Sequence, residues 1–262
     1  MAAPYAVRRK YFYADFTETP GTPVFATTTN AIATAADNQV DYTYVNGQLM
    51  DWIQTGANSA LVPLVQTAAP FGWAMPLDAD SVDSLEIGCG ALVSGNTPYM
   101  SFTVGTDPAF FVRARLSFLG NVDNVAVATV GFRDSASQVD VTSAADLLTS
   151  YTHSAYLGVS SNAGVIKSDT QKSGTTASTT ATFAATTVAL TAVTGVNLKL
   201  LVSATGVVTY QIDGAADVLL GGTAYTFTDA QVLVPAIHIV SRNGTGAQGS
   251  QCVIQEFECG LQ

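Results

Sequence analysis

Glutamate is scarce in this chain. Glu18, Glu86, Glu256 and Glu258 are the only four among 262 residues. Cleaving a glycosidic bond takes two carboxyl groups facing each other across a groove. Glu256 and Glu258 alternate around Phe257 in the last strand-like stretch, so both point to one face. A solvent-facing pair near a chain end has the same spacing and is the plainer reading. Asp78, Asp80 and Asp83 lie in one short loop, and hard oxygen ligands suit calcium. That trio is a weak candidate: the central Gly and the closing Glu of an EF-hand loop are absent. Asp123 and Asn124 read first as turn residues. His153 and His238 are the only histidines, and neither sits in a zinc-ligand cluster. His238 alternates with apolar neighbours and reads as a satisfied, partly buried strand residue. No nucleophile elbow and no glycine-rich phosphate loop appears. Trp52 and Trp73 are able to stack on sugar rings, but two Trp in a chain of this size serve more often as core anchors. The expectation is a protein that is not an enzyme, with no cofactor and no resident metal.

Those side chains have to be positioned by a scaffold, and composition limits which. Apolar residues make up 48% and charged residues 11%, which argues against a disordered, solvating chain. A net charge of -10 makes nucleic acid an unsuitable partner. No apolar run approaches the ~20 residues of a membrane helix. No secretory leader follows Arg8-Arg9-Lys10, so the chain is expected to be made in a cytoplasm and not secreted. Three Cys cannot all pair, and Cys252 and Cys259 lie too far apart along one extended strand to bridge, so they read as free buried thiols.

The clearest local pattern is Val196 to Ala215. Val196, Leu198, Leu200 and Val202 alternate with more polar neighbours, as a half-buried strand requires. Ala204-Thr205-Gly206 turns the chain, Val208, Tyr210 and Ile212 form one face of the return, and Asp213-Gly214 is a second turn. Phe110 to Phe118 is the cleanest single strand, and Val125 to Arg133 reads as its hairpin partner. Tyr156 to Val159 and Gly164 to Lys167 make a further small hairpin. Lys172 to Thr182 reads as an exposed Ser/Thr/Gly loop, and a short helix is expected to start at Ser143. Roughly a dozen strands and almost no helix predict an all-β protein over residues 71 to 262: an antiparallel two-sheet sandwich, with a barrel as the lesser alternative. Residues 1 to 70 are expected to form an extended N-terminal arm and irregular segment.

The arm carries Tyr5, Arg8, Arg9, Lys10, Tyr11, Phe12 and Tyr13. The first ten residues hold three of the ten basic residues and no acidic one, so the remainder, with seven basic and twenty acidic residues, carries -13. An aromatic, basic segment on an acidic body suits one that lies against another surface. An ordinary first strand with a solvated charge cluster suits the text equally.

The runs FTVGTDPAFFVRARLSF, VGFRD, GVVTYQIDGA and the terminal VIQEFECGL resemble the sandwich domain of structural proteins of tailed bacteriophages. More distantly they are similar to the concanavalin-like or laminin-G-like jelly-roll. The resemblance covers residues 71 to 262 and is carried by strand-and-turn text. It implies a virion protein that decorates or cements the outside of a head. The partners would be the major capsid protein and further copies of itself, in a homo-oligomer such as a trimer, with the seven arm residues making the capsid contact. The alternative is a carbohydrate-binding module, or a fibre or tail component that recognises host glycans.

Overall fold

A computed structural model describes residues 10–17, 39–45, 48–55, 64–66, 69–76, 84–88, 100–119, 125–135, 147, 149–160, 165–180, 182–183, 186–187, 195–215, 225–241 and 251–262. The strands in chain order are β1 (Tyr11–Asp15), β2 (Gln39–Val45), β3 (Gln48–Thr55), β4 (Leu64–Gln66), β5 (Gly72–Pro76), β6 (Ser84–Gly88), β7 (Phe102–Thr103), β8 (Phe110–Leu119) and β9 (Val125–Asp134). There follow β10 (His153–Val159), β11 (Ile166–Lys172), β12 (Thr175–Thr180), β13 (Thr182–Phe183), β14 (Thr186–Thr187), β15 (Val196–Val202), β16 (Val208–Ile212), β17 (Val232–Ser241) and β18 (Gln251–Leu261). Leu147 and Thr149 lie in a helical turn; the expected cap at Ser143 is outside the described residues.

Two antiparallel sheets form the sandwich. The seven-stranded sheet runs β16-β15-β8-β18-β5-β4, with β1 also on β18. The nine-stranded sheet runs β12-β11-β10-β9-β17-β6-β3-β2, with β7 also on β17. β13 and β14 form a separate two-stranded sheet. This is the expected all-β jelly-roll architecture.

The alternation read from sequence places the core. Val196, Leu198, Leu200 and Val202 of β15 face inward, and β16 returns in the expected hairpin with Val202 opposite Val208. Gly206 closes that turn at φ 86°, a region glycine enters without a Cβ penalty. Phe110, Val112, Ala114, Leu116 and Phe118 of β8 are buried, while Arg113 and Arg115 face away. Between the sheets Phe102 stacks on Phe110 with centroids 4.7 Å apart, and Phe132 meets both edge-on. Trp73 is a core anchor, as expected, against Phe16 at 4.3 Å. Cys252 and Cys259 are both buried, and Cys252 is a free thiol.

Three expectations change. β8 and β9 are not a hairpin. β8 pairs with β15 and β18 in one sheet, and β9 pairs with β10 and β17 in the other. Both bury an apolar face in the same core, so facing each other across it satisfies the pattern as well as lying side by side. Residues 172–180 are not a loop. Ser173 and Gly174, both at positive φ, make a tight turn of the kind hairpins favour, and Thr175–Thr180 returns as β12. Thr is a good strand former as well as a polar residue. Finally, β1 to β4 arise before residue 71 and belong to the same two sheets. The sandwich therefore draws on the stretch expected to be an arm.

Replacing Phe132 with Ala removes the ring that bridges Phe102 and Phe110. Urea unfolding is expected to show a loss of about 3–5 kcal/mol, against less than ~1.5 kcal/mol for a volume-conserving swap such as Ile237→Leu.

Candidate functional site

Two polar assemblies stand out, one on the outer face of each sheet. The first is open. In β1, Tyr11, Tyr13 and Asp15 alternate with buried Phe12 and Ala14. The β1–β18 register sets Tyr11 opposite Gly260, Tyr13 opposite Glu258 and Asp15 opposite Glu256. On the other side of β18, Glu258 lies opposite Arg113 and Glu256 opposite Arg115 of β8. These residues make one continuous outer patch across three strands.

Its geometry is fixed by charge. Arg113 Nη2 donates to Glu256 Oε2 at 2.7 Å, and Arg113 Nε lies 3.0 Å from Glu258 Oε2. The Tyr11 hydroxyl donates to Glu258 Oε1 at 2.8 Å. Asp15 Oδ1 accepts from the backbone N–H and hydroxyl of Thr17 at 2.8 and 2.6 Å. Gly260 matters here: a Cβ on it would come within 2.8 Å of Tyr11 Cδ2, so its absence lets the ring lie on β18. The Tyr11 ring remains 43% exposed. Partial burial, then the Glu258 hydrogen bond and charge, push the Tyr11 phenol up to about 12. Burial first, then Asp15 and Glu256, raise Tyr13 also. Both rings thus stay neutral hydrogen-bonding groups across the physiological range. Glu256 and Glu258 share one guanidinium, an arrangement that holds two carboxylates in place.

The second assembly is buried on the outer face of the nine-stranded sheet. Glu86 of β6 is its hub. Arg133 of β9 donates to Glu86 Oε1 from Nε at 2.9 Å and from Nη2. The Tyr151 hydroxyl and His238 Nε2 each lie 2.7 Å from Glu86 Oε2. An ionised carboxylate only accepts, so both partners donate. The Arg133 guanidinium also sits over the Tyr151 ring, 4.6 Å from its centroid, and the Tyr156 ring meets His238 edge-on at 5.1 Å. Burial by itself would raise Glu86, but the Arg133 and His238 charges outweigh it and hold the carboxyl well below its usual range. Burial pushes Tyr156 well up. Leu147, packed with Val127, Tyr156 and Val240, covers this face beside Tyr151.

The residues singled out in the sequence are thereby separated. Tyr11 and Tyr13 reach the open patch. Phe12 does not: it is a core residue, 5.8 Å from Phe257 by ring centroids, because strand alternation turns it inward, and it leaves the expected contact set. Lys10 pairs with Asp107 at 2.7 Å and lies over the Phe102 ring. Tyr5, Arg8, Arg9, Asp78, Asp80, Asp83, Asp123 and the Trp52 side chain lie outside the described residues. Among the described residues no group of three His, Cys, Asp or Glu is placed to hold a metal ion. His153 is half-buried, 3.1 Å from Ser173 Oγ. His238 is fully buried and bonded to Glu86. The Glu86–Arg133 pair was missed, although one signal was present: VAVATVGFR is apolar on both faces, the text of a sheet covered on both sides.

No protein-family model matches the chain, and no curated protein matches it. Solved structures do. The carbohydrate recognition domain of Emp47p is 7% identical, covers 95% of this chain and 94% of its own, and superposes with a TM-score of 0.51. The globular domain of T. cruzi calreticulin is 9% identical over 96% and 88%, with a TM-score of 0.46. A carbohydrate-binding module from Bacillus subtilis is 8% identical over 72% and 91%, with a TM-score of 0.34. The first likeness shows a lectin-like jelly-roll fold, and at this identity it speaks for fold alone.

Removing one partner of the buried pair should be costly. Arg133→Met strands the Glu86 carboxylate and is expected to lower unfolding free energy by about 3–5 kcal/mol, with much of that regained in the Glu86→Leu/Arg133→Met double variant. The pH dependence has a definite sign. Glu86 is depressed below the 4.5 of a free side chain, so its contribution is complete above that value and is lost as pH falls below it. Acid titration of stability should therefore be steeper for the wild type than for Glu86→Gln below pH 4.5.

Proposed function

We propose that this protein is a non-catalytic carbohydrate-binding domain, and that glycan is held on the open face of the seven-stranded sheet at Tyr11, Tyr13, Arg113, Glu256 and Glu258. The observation that carries the reading is Tyr11. Its ring lies along β18 over Gly260, stays 43% exposed, and is fixed by its hydroxyl to Glu258. A sugar ring needs an apolar platform beside groups that accept and donate hydrogen bonds, and an amphipathic aromatic supplies both. The platform is also rigid: Arg113 ties Glu256 to Glu258, and Glu258 holds Tyr11, so little ordering remains to be done on binding. The fold supports the reading, since the Emp47p domain it matches is itself a carbohydrate recognition domain by name.

A second reading uses the same surface. Tyr11 and Tyr13, two of the residues expected to touch a capsid, face outward along β1, and Lys10 just before it is held by Asp107. Decoration of a phage head, with a major capsid protein as partner, would rest on them together with Tyr5, Arg8 and Arg9. The resemblance to phage structural proteins is strand-and-turn text and does not choose between the two.

A glycan array, followed by calorimetric titration of the best binder, tests the first reading. Tyr11→Ala is expected to weaken binding roughly tenfold, the equivalent of ~1.4 kcal/mol for one lost stacking contact. Tyr11→Phe keeps the ring and should lose less. Wild-type affinity in Tyr11→Ala would move the site off this face. Saturable cosedimentation with capsids, with an empty array, would favour the second reading.

A further inference from the structure

Among the described residues, three cations stand on the open face of the seven-stranded sheet, and two of them are engaged. Arg113 ties Glu256 to Glu258. Lys199 lies over the Phe111 ring, 4.6 Å from its centroid. The third is Arg115, two residues along β8 from Arg113 and therefore on the same face, between Asn197 of β15 and Glu256 of β18. Among the described residues it meets no hydrogen-bond acceptor and no ion-pair partner, and its Nε is buried without one. Glu256, opposite, is already held by Arg113.

The inner part of the Arg115 side chain is fixed. Gly195, just before β15, lies directly against it: a Cβ there would fall on Gln255 Oε1 and come within 2.6 Å of Arg115 Nε and 3.1 Å of its Cγ. Gly195 thus leaves room that any other residue would fill. Gln255 reaches this place as the extra residue of the β18 bulge, between Ile254 opposite Leu116 and Glu256 opposite Arg115. Bulges re-aim side chains in this way. Its amide donates to the Phe71 carbonyl at 3.3 Å, which leaves Oε1 on the Arg115 side. A neutral amide oxygen there positions the guanidinium without cancelling its charge. Ser117, the next outward residue of β8, is fully buried, and its hydroxyl is also without a partner. The outer end of Arg115 is open: the residue is only half-buried, and its backbone is covered by paired strands on both sides.

A guanidinium partly removed from water without a counter-charge costs free energy, which an oxyanion from a ligand offsets. The planar fork of Arg matches the oxygens of a carboxylate or sulfate two at a time. In a chain of net charge -10 no long-range field draws anions in, so the pairing has to be local. We infer that Arg115 anchors an oxyanion subsite, and that the glycan held on this face is an acidic one whose carboxylate or sulfate the open end of Arg115 takes. The subsite stands on the geometry around Arg115; the glycan as carrier of the oxyanion rests on the carbohydrate reading above.

Two experiments on the full chain separate those parts. In the first, sodium sulfate is titrated into isotope-labelled wild type at constant ionic strength, and the Nε–H signal of Arg115, assigned through its own backbone, is followed by NMR. A saturable shift with the Arg113 signal unmoved is expected. No saturable shift, or an equal shift at Arg113, overturns the inference. In the second, an array of uronate-containing, sialylated, sulfated and neutral oligosaccharides is probed with wild type and Arg115→Met. Acidic glycans are expected as the hits, and calorimetry on the best of them should show binding weakened roughly tenfold or more in Arg115→Met. Hits confined to neutral sugars, or an acidic hit bound equally by a folded Arg115→Met protein, overturn the inference and leave the carbohydrate reading standing. An empty array sinks the carbohydrate reading and the glycan with it, and the sulfate shift alone then decides whether Arg115 takes an oxyanion.

Discussion

Strand β18 is hydrogen-bonded along both edges, and most of the molecule's order follows from that. On one side β8 pairs with it from Gln251 to Leu261; on the other, β5 takes the first half and β1 the second. The last residues of the chain therefore join its first described strand to its middle. A ladder of such long sequence separation forms only after much chain entropy has been lost, which makes for slow, cooperative folding. The functional consequence is local. A register shift between Ile254 and Glu256 resets the alternation, so that Phe257 and Cys259 fill the core while Glu256 and Glu258 face out between Arg113 and the tyrosines of β1. The open patch exists because three strands far apart in sequence are held in one register.

The nine-stranded sheet solves a different problem. Its outer face is covered, so its polar groups must satisfy one another. Glu86 does this with four donors from three side chains, and the low dielectric that makes an unpaired carboxylate so costly there also strengthens each bond it accepts. A pair of this kind contributes little net stability compared with apolar packing. Its effect is on placement: Tyr151 reaches the hub only if the segment bearing it lies across the sheet.

How much of this was legible in the sequence depends on range. Period-two alternation identified β8 and β15 and the side of each that is buried, and turn residues set the β15–β16 hairpin. Adjacency in sequence misled at β8 and β9, because a hairpin and a crossing between facing sheets demand the same apolar pattern. Composition misled at β12, where Thr and Ser look like loop until the turn before them is taken into account. At the candidate site the pair Glu256 and Glu258 could be found and oriented, but the guanidinium that holds them lies 143 residues away in β8. Glu86, 152 residues from His238, gave no local sign of its hub. Side-chain partnerships across a sandwich are set by strand order, and strand order is not written in any short stretch.

The central claim is that the exposed face of the seven-stranded sheet, organised by Arg113 and Tyr11, is the binding surface. Its most direct test is amide chemical-shift mapping while the best oligosaccharide from an array is titrated in. The account predicts perturbations confined to Tyr11–Asp15, Arg113–Arg115 and Glu256–Gly260, saturating together at one stoichiometry. Perturbations clustered on β6, β9 and β17 instead, with the β1 and β18 amides unmoved, would contradict it.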